Sequence, residues 1–192
     1  MNDWEHLVYP PAAADILRET IAVRFINAID QLTGALLRTL AASKPGGRLL
    51  ELGTGTGLGT AWILDGMDAQ ARLTTVEVNP SMSAIAQRYL DHDPRVEFIV
   101  GDAEQFIEHL GNRYFDLIFA DCPVGKDHNL DTVLTALAPG GLYIVDDMLP
   151  HTYTPERVPM QKAVVEMLSQ RKDLHLTKLS WSTGIVMATK RA

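Results

Sequence analysis

Residues 48–67 read RLLELGTGTGLGTAWILDGM, and this stretch decides the fold. It begins with an apolar run at 48–52, passes Gly53, Gly55 and Gly57 at alternate positions, and continues with helical spacing over 60–67. A strand that turns through glycines into a helix is the first unit of a nucleotide-binding α/β sheet. The glycines permit φ > 0 and a close ligand, while the helix N-terminus offers unpaired N–H groups. Dinucleotide enzymes need G-x-G-x-x-G. Neither register supplies the third glycine, because Leu58 and Thr60 stand where it would fall. The pattern present is E-x-G-x-G-x-G, with Glu51 as its acid.

Outward from this unit the chain alternates. Apolar runs at 73–77, 96–100, 115–120 and 142–145, bounded by Gly, Pro or Asp, read as buried parallel strands. Segments with helical periodicity at 82–91, 104–110, 131–137 and 159–170 read as crossover helices, and two more, at 22–29 and 32–42, precede the first strand. The last two strands, 175–179 and 185–189, are separated only by the turn Trp181-Ser182-Thr183-Gly184. They must form an antiparallel hairpin, because a parallel pair needs a crossover of about a dozen residues. The expected fold class is a doubly wound α/β sheet in one domain over 1–192, with a helical cover at 1–45 and the catalytic sheet at 46–192.

Composition bounds the partners. With 192 residues, 46% of them apolar and 21% charged, the chain has enough core-forming residues to exclude disorder. No apolar run reaches the roughly 18–20 residues of a membrane helix. The N-terminal MNDWEHLVYPP lacks the basic n-region of a secretory signal. A lone cysteine, Cys122, fits a reducing compartment, so a cytoplasmic location is expected. A net charge of -7 gives no counterion-release advantage on nucleic acid or anionic membranes, which disfavours both as partners.

Glu77 ends the second strand, where an acid accepts hydrogen bonds from a ribose diol in nucleotide-binding sheets. The ordered segments ELGTGTG, TTVEVNPSMSAIAQRYL, VEFIVGDAEQFI, FDLIFADC and LAPGGLYIVDDML resemble the successive motifs of class I S-adenosylmethionine-dependent methyltransferases. More narrowly, they are similar to the small catechol and caffeoyl-CoA O-methyltransferases. The resemblance implies a sheet of order 3-2-1-4-5-7-6 with the last strand antiparallel. It also implies S-adenosylmethionine as cofactor, a small hydroxylated, catechol-like acceptor, and a homodimer. Residue by residue, it puts Gly53, Gly55 and Gly57 under the methionine part of the cofactor, Glu51 near its amino group and Glu77 on both ribose hydroxyls. Asp102 and Ala103 would face the adenine, although Asp102 is equally suited to cap the helix that follows. Methylation of a hydroxylated tRNA base and cofactor binding without transfer are the alternatives.

Asp121 closes the fourth strand, and Asp146 with Asp147 closes the fifth, its expected neighbour. Three convergent carboxylates repel one another unless a cation or raised pKa values relieve them. An all-oxygen set suits Mg²⁺ or another hard divalent ion. In metal-dependent members of the resembled family these positions are Asp and then Asp-Asn, so Asp147 departs from the pattern. A second departure is larger: the family's lysine base comes three residues after the first Asp, whereas here Lys126 comes five residues on. The competing reading makes the acids backbone caps, with Asp121 beside the cofactor. The catalytic candidates are therefore Asp121, Lys126 and His151, the last on the loop after the fifth strand. Cys122 reads as a packed residue, and Trp4, Tyr9 and Trp181 as either acceptor-pocket walls or packing aromatics.

Overall fold

The computed structural model describes residues 2–150 and 155–192. Seven strands, β1 (Arg48–Leu52), β2 (Arg72–Glu77), β3 (Val96–Val100), β4 (Phe115–Ala120), β5 (Leu137–Val145), β6 (Leu174–Leu179) and β7 (Ile185–Lys190), form one sheet. Their order is β3-β2-β1-β4-β5-β7-β6. β7 runs antiparallel to both neighbours, and the pairs from β3 to β5 are parallel. The five residues at 180–184 are too few for a crossover, so the hairpin and the single reversed strand follow from its length.

Alternation along each strand divides the core. Leu50, Leu52, Ile118, Ala120 and Tyr143 point to one face, under α5 (Ala103–Glu108), α6 (Leu130–Thr135) and α7 (Val158–Gln170). Leu49, Leu73, Leu117, Phe119 and Ile144 point to the other, under α1 (Ala13–Ala22), α2 (Gln31–Ala42) and α3 (Leu58–Gly66). With both faces covered, β1 and β4 are buried at nearly every position, as a parallel sheet requires. α4 (Pro80–Leu90) joins β2 to β3, capped by Asn79, whose Oδ1 accepts from the N–H of Ser81 at 2.9 Å. No helix among the described residues is long and apolar enough to cross a membrane.

The first predicted helix is misplaced by the sequence reading. Residues 23–30 carry no helix, and α1 lies earlier, directly after Pro10 and Pro11. The run Val23-Arg24-Phe25-Ile26-Asn27 is rich in poor helix formers, and Arg24 takes φ +55°, the left-handed conformation that stops a helix. Residues 31–42 do form α2, whose Asp30 cap accepts from the N–H of Leu32 at 2.8 Å. β5 also starts five residues before its predicted 142–145, which shortens α6 at its end.

Trp62, only 1% exposed, lies in α3 against α2, where Gly34 leaves room for its ring. A Cβ at Gly34 would meet Trp62 Cδ1 at 2.4 Å. Gly34→Ala gains up to about 1 kcal/mol of helix propensity but overpacks a rigid ring at a cost of about 2–3 kcal/mol. The net expectation is a melting temperature roughly 2–8 °C lower by circular dichroism. An unchanged melting temperature would show that α2 and α3 can separate freely.

Candidate active site

The glycine loop is held from beneath by the sheet. The N–H groups of Gly53 and Thr54 both donate to the carbonyl of Val76, at 2.9 and 3.2 Å. Gly53 takes φ +99°, and a Cβ there would lie 2.7 Å from the carbonyl oxygen of Asp121, so only glycine lets β1 and β4 end this close together. From above, Thr20 of α1 shares a hydroxyl hydrogen bond of 2.7 Å with Thr56. Phe25 lies over Gly55, with its ring carbon 2.9 Å from where a side chain would begin. The N-terminal segment thus forms a wall of the cleft.

Glu51 is buried in β1, 1% exposed, with Oε2 accepting from Thr60 Oγ1 at 2.5 Å and Thr75 Oγ1 at 2.7 Å. Burial pushes its carboxyl up to about 8; the two threonine donors oppose that rise, and the charges of Asp121 and Glu77 add to it. Near neutral pH the carboxyl therefore keeps its proton until a cation arrives. Gly59 makes room for it, because a Cβ there would stand 2.4 Å from Glu51 Oε1.

Glu77 is oriented by the backbone. Its Oε2 accepts from the N–H of Gly55 at 2.8 Å and its Oε1 from the N–H of Asn79 at 2.9 Å. Each oxygen retains a lone pair for a ligand donor. Glu51, Gly53, Gly55, Glu77 and Asp121 line one cleft of about 240 Å³ at the carboxyl ends of β1, β2 and β4. A second hollow, of about 210 Å³, continues from it past Gly53 and Glu77 to Asp102 and Ala103. Asp102 caps α5, its Oδ1 accepting from the N–H of Glu104 at 2.7 Å, and it borders this hollow at the same time. Cys122 lies between the two hollows; burial first of all pushes its thiol up to about 11, so it is no nucleophile at neutral pH.

The acidic edge borders a further cavity of about 370 Å³, whose wall carries Asp121, Asp146, Asp147, Arg157 and Thr183. Lys126, displaced in sequence, is present in space. The loop after β4 folds back through bonds from the N–H groups of Lys126 and Asp127 to the carbonyl of Pro123, and the hydroxyl of Tyr143 donates to the carbonyl of Gly125. Lys126 Nζ thereby comes within 3.3 Å of Asp121 Oδ1 and 3.8 Å of Asp147 Oδ2, with its side chain 2% exposed. Arg157 lies 3.6 Å from Asp147 Oδ2. Asp146 Oδ1 accepts from Thr183 Oγ1 at 2.5 Å and from the N–H of Asp147 at 2.7 Å. Burial, with Asp147 adding to it, pushes the Asp146 carboxyl up to about 6.

This arrangement does not fit the expected metal site at Asp121, Asp146 and Asp147. Among the described residues no group of three His, Cys, Asp or Glu side chains is arranged to hold a metal ion. A protein cation already lies between Asp121 and Asp147, and one Asp146 oxygen is committed to a hydroxyl and an amide. Burial pushes the Asp121 carboxyl up to about 7, Lys126 pulls it down, and Asp146 and Asp147 push it up again. A carboxyl at that value can exchange a proton at neutral pH. His151 lies outside the described residues.

Several lining residues escaped the sequence reading. Phe25 and Asn27 lie on the segment read as helix, Arg157 ends a short 3-10 helix before α7, and Thr183 lies on the turn between β6 and β7. Trp4 and Tyr9 line an apolar pocket of about 490 Å³ together with Leu17, Leu58 and Trp62. Trp181 instead packs on α2, its ring N–H donating to the carbonyl of Leu32 at 3.1 Å.

A glycine-cradled cleft at the carboxyl edge of a sheet ordered 3-2-1-4-5-7-6 defines a fold class, that of the Rossmann-like methyltransferases. The chain belongs to the methyltransferase-domain family, which matches residues 50–148. A Mycolicibacterium vanbaalenii protein assigned as an O-methyltransferase is 30% identical over 150 residues, covering 76% of this chain and 66% of its own length. The chain spans 56% to 66% of the length of the first curated relatives that it matches. A solved Klebsiella pneumoniae structure, also assigned as an O-methyltransferase, superposes with TM-score 0.83 at 26% identity, covering 97% of this chain and 93% of that one. The O-methyltransferase TomG of Streptomyces achromogenes, involved in tomaymycin synthesis and solved with S-adenosylmethionine, superposes with TM-score 0.82 at 22% identity, covering 98% and 93%.

Proposed function

We propose that the chain is an S-adenosylmethionine-dependent O-methyltransferase acting on a small hydroxylated, catechol-like acceptor. One observation carries the reading: Glu51, Glu77, Asp121 and the glycine loop converge on a single cleft next to the acid-walled cavity. The residues suit the cofactor. Glu77 has lone pairs for two ribose hydroxyls, the hollow beside Asp102 and Ala103 suits an adenine, and Glu51 is a buried, mainly neutral acid that an adjacent ammonium would ionise. The assigned activity of the relatives and the cofactor held by TomG support the same reading.

When bound, the cofactor supplies an electrophilic methyl group on sulfur. The chain's task is to align an acceptor oxygen with it and remove the hydroxyl proton. Asp121 borders both the cofactor cleft and the acceptor cavity, so its carboxylate is the base. Asp121 would accept the O–H proton of an acceptor held in the adjoining cavity. The homodimer stays part of this proposal, and light scattering at micromolar concentration tests it.

Glu51 makes the cofactor reading testable without an acceptor. Its carboxyl is raised to about 8, so binding of an ammonium group beside it favours the ionised form and expels a proton. Calorimetry at pH 7 in buffers of different ionisation enthalpy should show proton release on binding, and affinity should rise between about pH 6 and pH 8. Binding without proton release would separate Glu51 from the amino group.

A further inference from the structure

Resting on that transferase reading, we propose that Lys126 takes the place of a divalent cation at the acidic edge, so that methyl transfer by this chain needs no metal. The first ground is position. The Lys126 ammonium bridges the carboxylates of Asp121 and Asp147 at 3.3 and 3.8 Å, although these acids come from the ends of two different strands. Joining those two strand ends is the task that a chelated ion would perform.

The second ground is that Lys126 has little freedom to leave. Its side chain is 2% exposed, and its loop is tied down by the bonds to Pro123 and by the Tyr143 hydroxyl. Gly125 takes φ +83°, which turns the chain sharply enough for residue 126 to point back at residue 121. A dication on the same carboxylates would sit a few ångströms from a fixed positive charge, and the two would repel.

The third ground is the charge balance. Lys126 and Arg157 together set two positive charges against Asp121 and Asp147, and Thr183 donates to Asp146. The acids have protein partners, so no external ion is required to hold them together. Lys126 acts here through Asp121, as a positioning residue that keeps the carboxylate at the cavity wall. The five-residue spacing, a departure from the family's three, still lets this loop return Lys126 to the edge.

Electron paramagnetic resonance of added Mn²⁺ tests this with no acceptor. In the wild-type chain the signal of free Mn²⁺ should persist unchanged, with or without S-adenosylmethionine. Lys126→Ala removes the competing charge and should tighten Mn²⁺ binding at least about tenfold. A purely structural lysine would not confer that gain. Stoichiometric Mn²⁺ binding by the wild type would overturn the proposal, and so would a folded Lys126→Ala variant with no gain in affinity. If that variant fails to fold, the wild-type measurement still decides. A parallel S-adenosylmethionine titration keeps failure of the transferase reading distinct, because a chain that binds neither cofactor nor Mn²⁺ fails only that reading.

Discussion

Replacing Glu77 with alanine is expected to weaken S-adenosylmethionine binding by roughly 30- to 1000-fold while the chain stays folded. The estimate follows from losing two hydrogen bonds to an ionised acceptor, each worth about 1.5–3 kcal/mol, with partial compensation by water. The side chain is oriented before any ligand arrives, by the N–H groups of Gly55 and Asn79, so the loss falls on a preorganised acceptor. The variant also frees the N–H groups of Gly55 and Asn79, which water can satisfy at this half-buried edge, so stability should change little. Dissociation constants from calorimetry and a parallel thermal melt separate the two effects. Parental affinity in the variant would remove Glu77 from the ribose.

Asp121→Asn is expected to lower kcat by about 10²- to 10⁴-fold, the usual value of a positioned general base, with cofactor affinity reduced by less than about tenfold. The asparagine is nearly isosteric and still accepts from Lys126, so geometry is retained while basicity is lost. The wild-type rate should rise with pH through about 7, where Asp121 ionises. Burial sets that value first, opposed by Lys126 and supported by Asp146 and Asp147. The raised carboxyl means the base is protonated and idle at lower pH, so the acidic limb of the profile reports it. A variant with parental kcat across the pH range would assign the proton transfer to another group.

Much of this molecule is legible in its sequence because parallel strands buried on both faces leave short, largely apolar runs bounded by Gly, Pro or Asp. The runs at 48–52 and 115–120 coincide with β1 and β4, and the short turn before residue 185 fixes the reversed strand. The acids at strand ends are legible for a related reason: Glu77 closes β2, Asp121 follows β4 and Glu51 stands one residue before the end of β1, so strand assignment also locates them at the ligand edge. Residues 22–29 are different. Their apolar spacing imitates a helix, but the side chains serve the cleft, and the backbone runs irregularly to deliver Phe25 and Asn27 to it. Lys126 shows the limit of spacing arguments in loops. Its approach to Asp121 depends on a turn closed by Pro123 and Gly125, and sequence distance carries no such information. Arg157, at the start of α7, and Thr183, on the turn between β6 and β7, are brought together only by tertiary packing, and no local pattern marks either.

We propose that the cleft at the ends of β1, β2 and β4 takes S-adenosylmethionine. A calorimetric titration of the wild-type chain, followed by competition with S-adenosylhomocysteine and with NAD, tests it directly. The predicted result is one saturable S-adenosylmethionine site per chain, displaced by S-adenosylhomocysteine and untouched by NAD, since the loop lacks the third glycine of a dinucleotide site. Saturable NAD binding with no heat from S-adenosylmethionine would contradict the account.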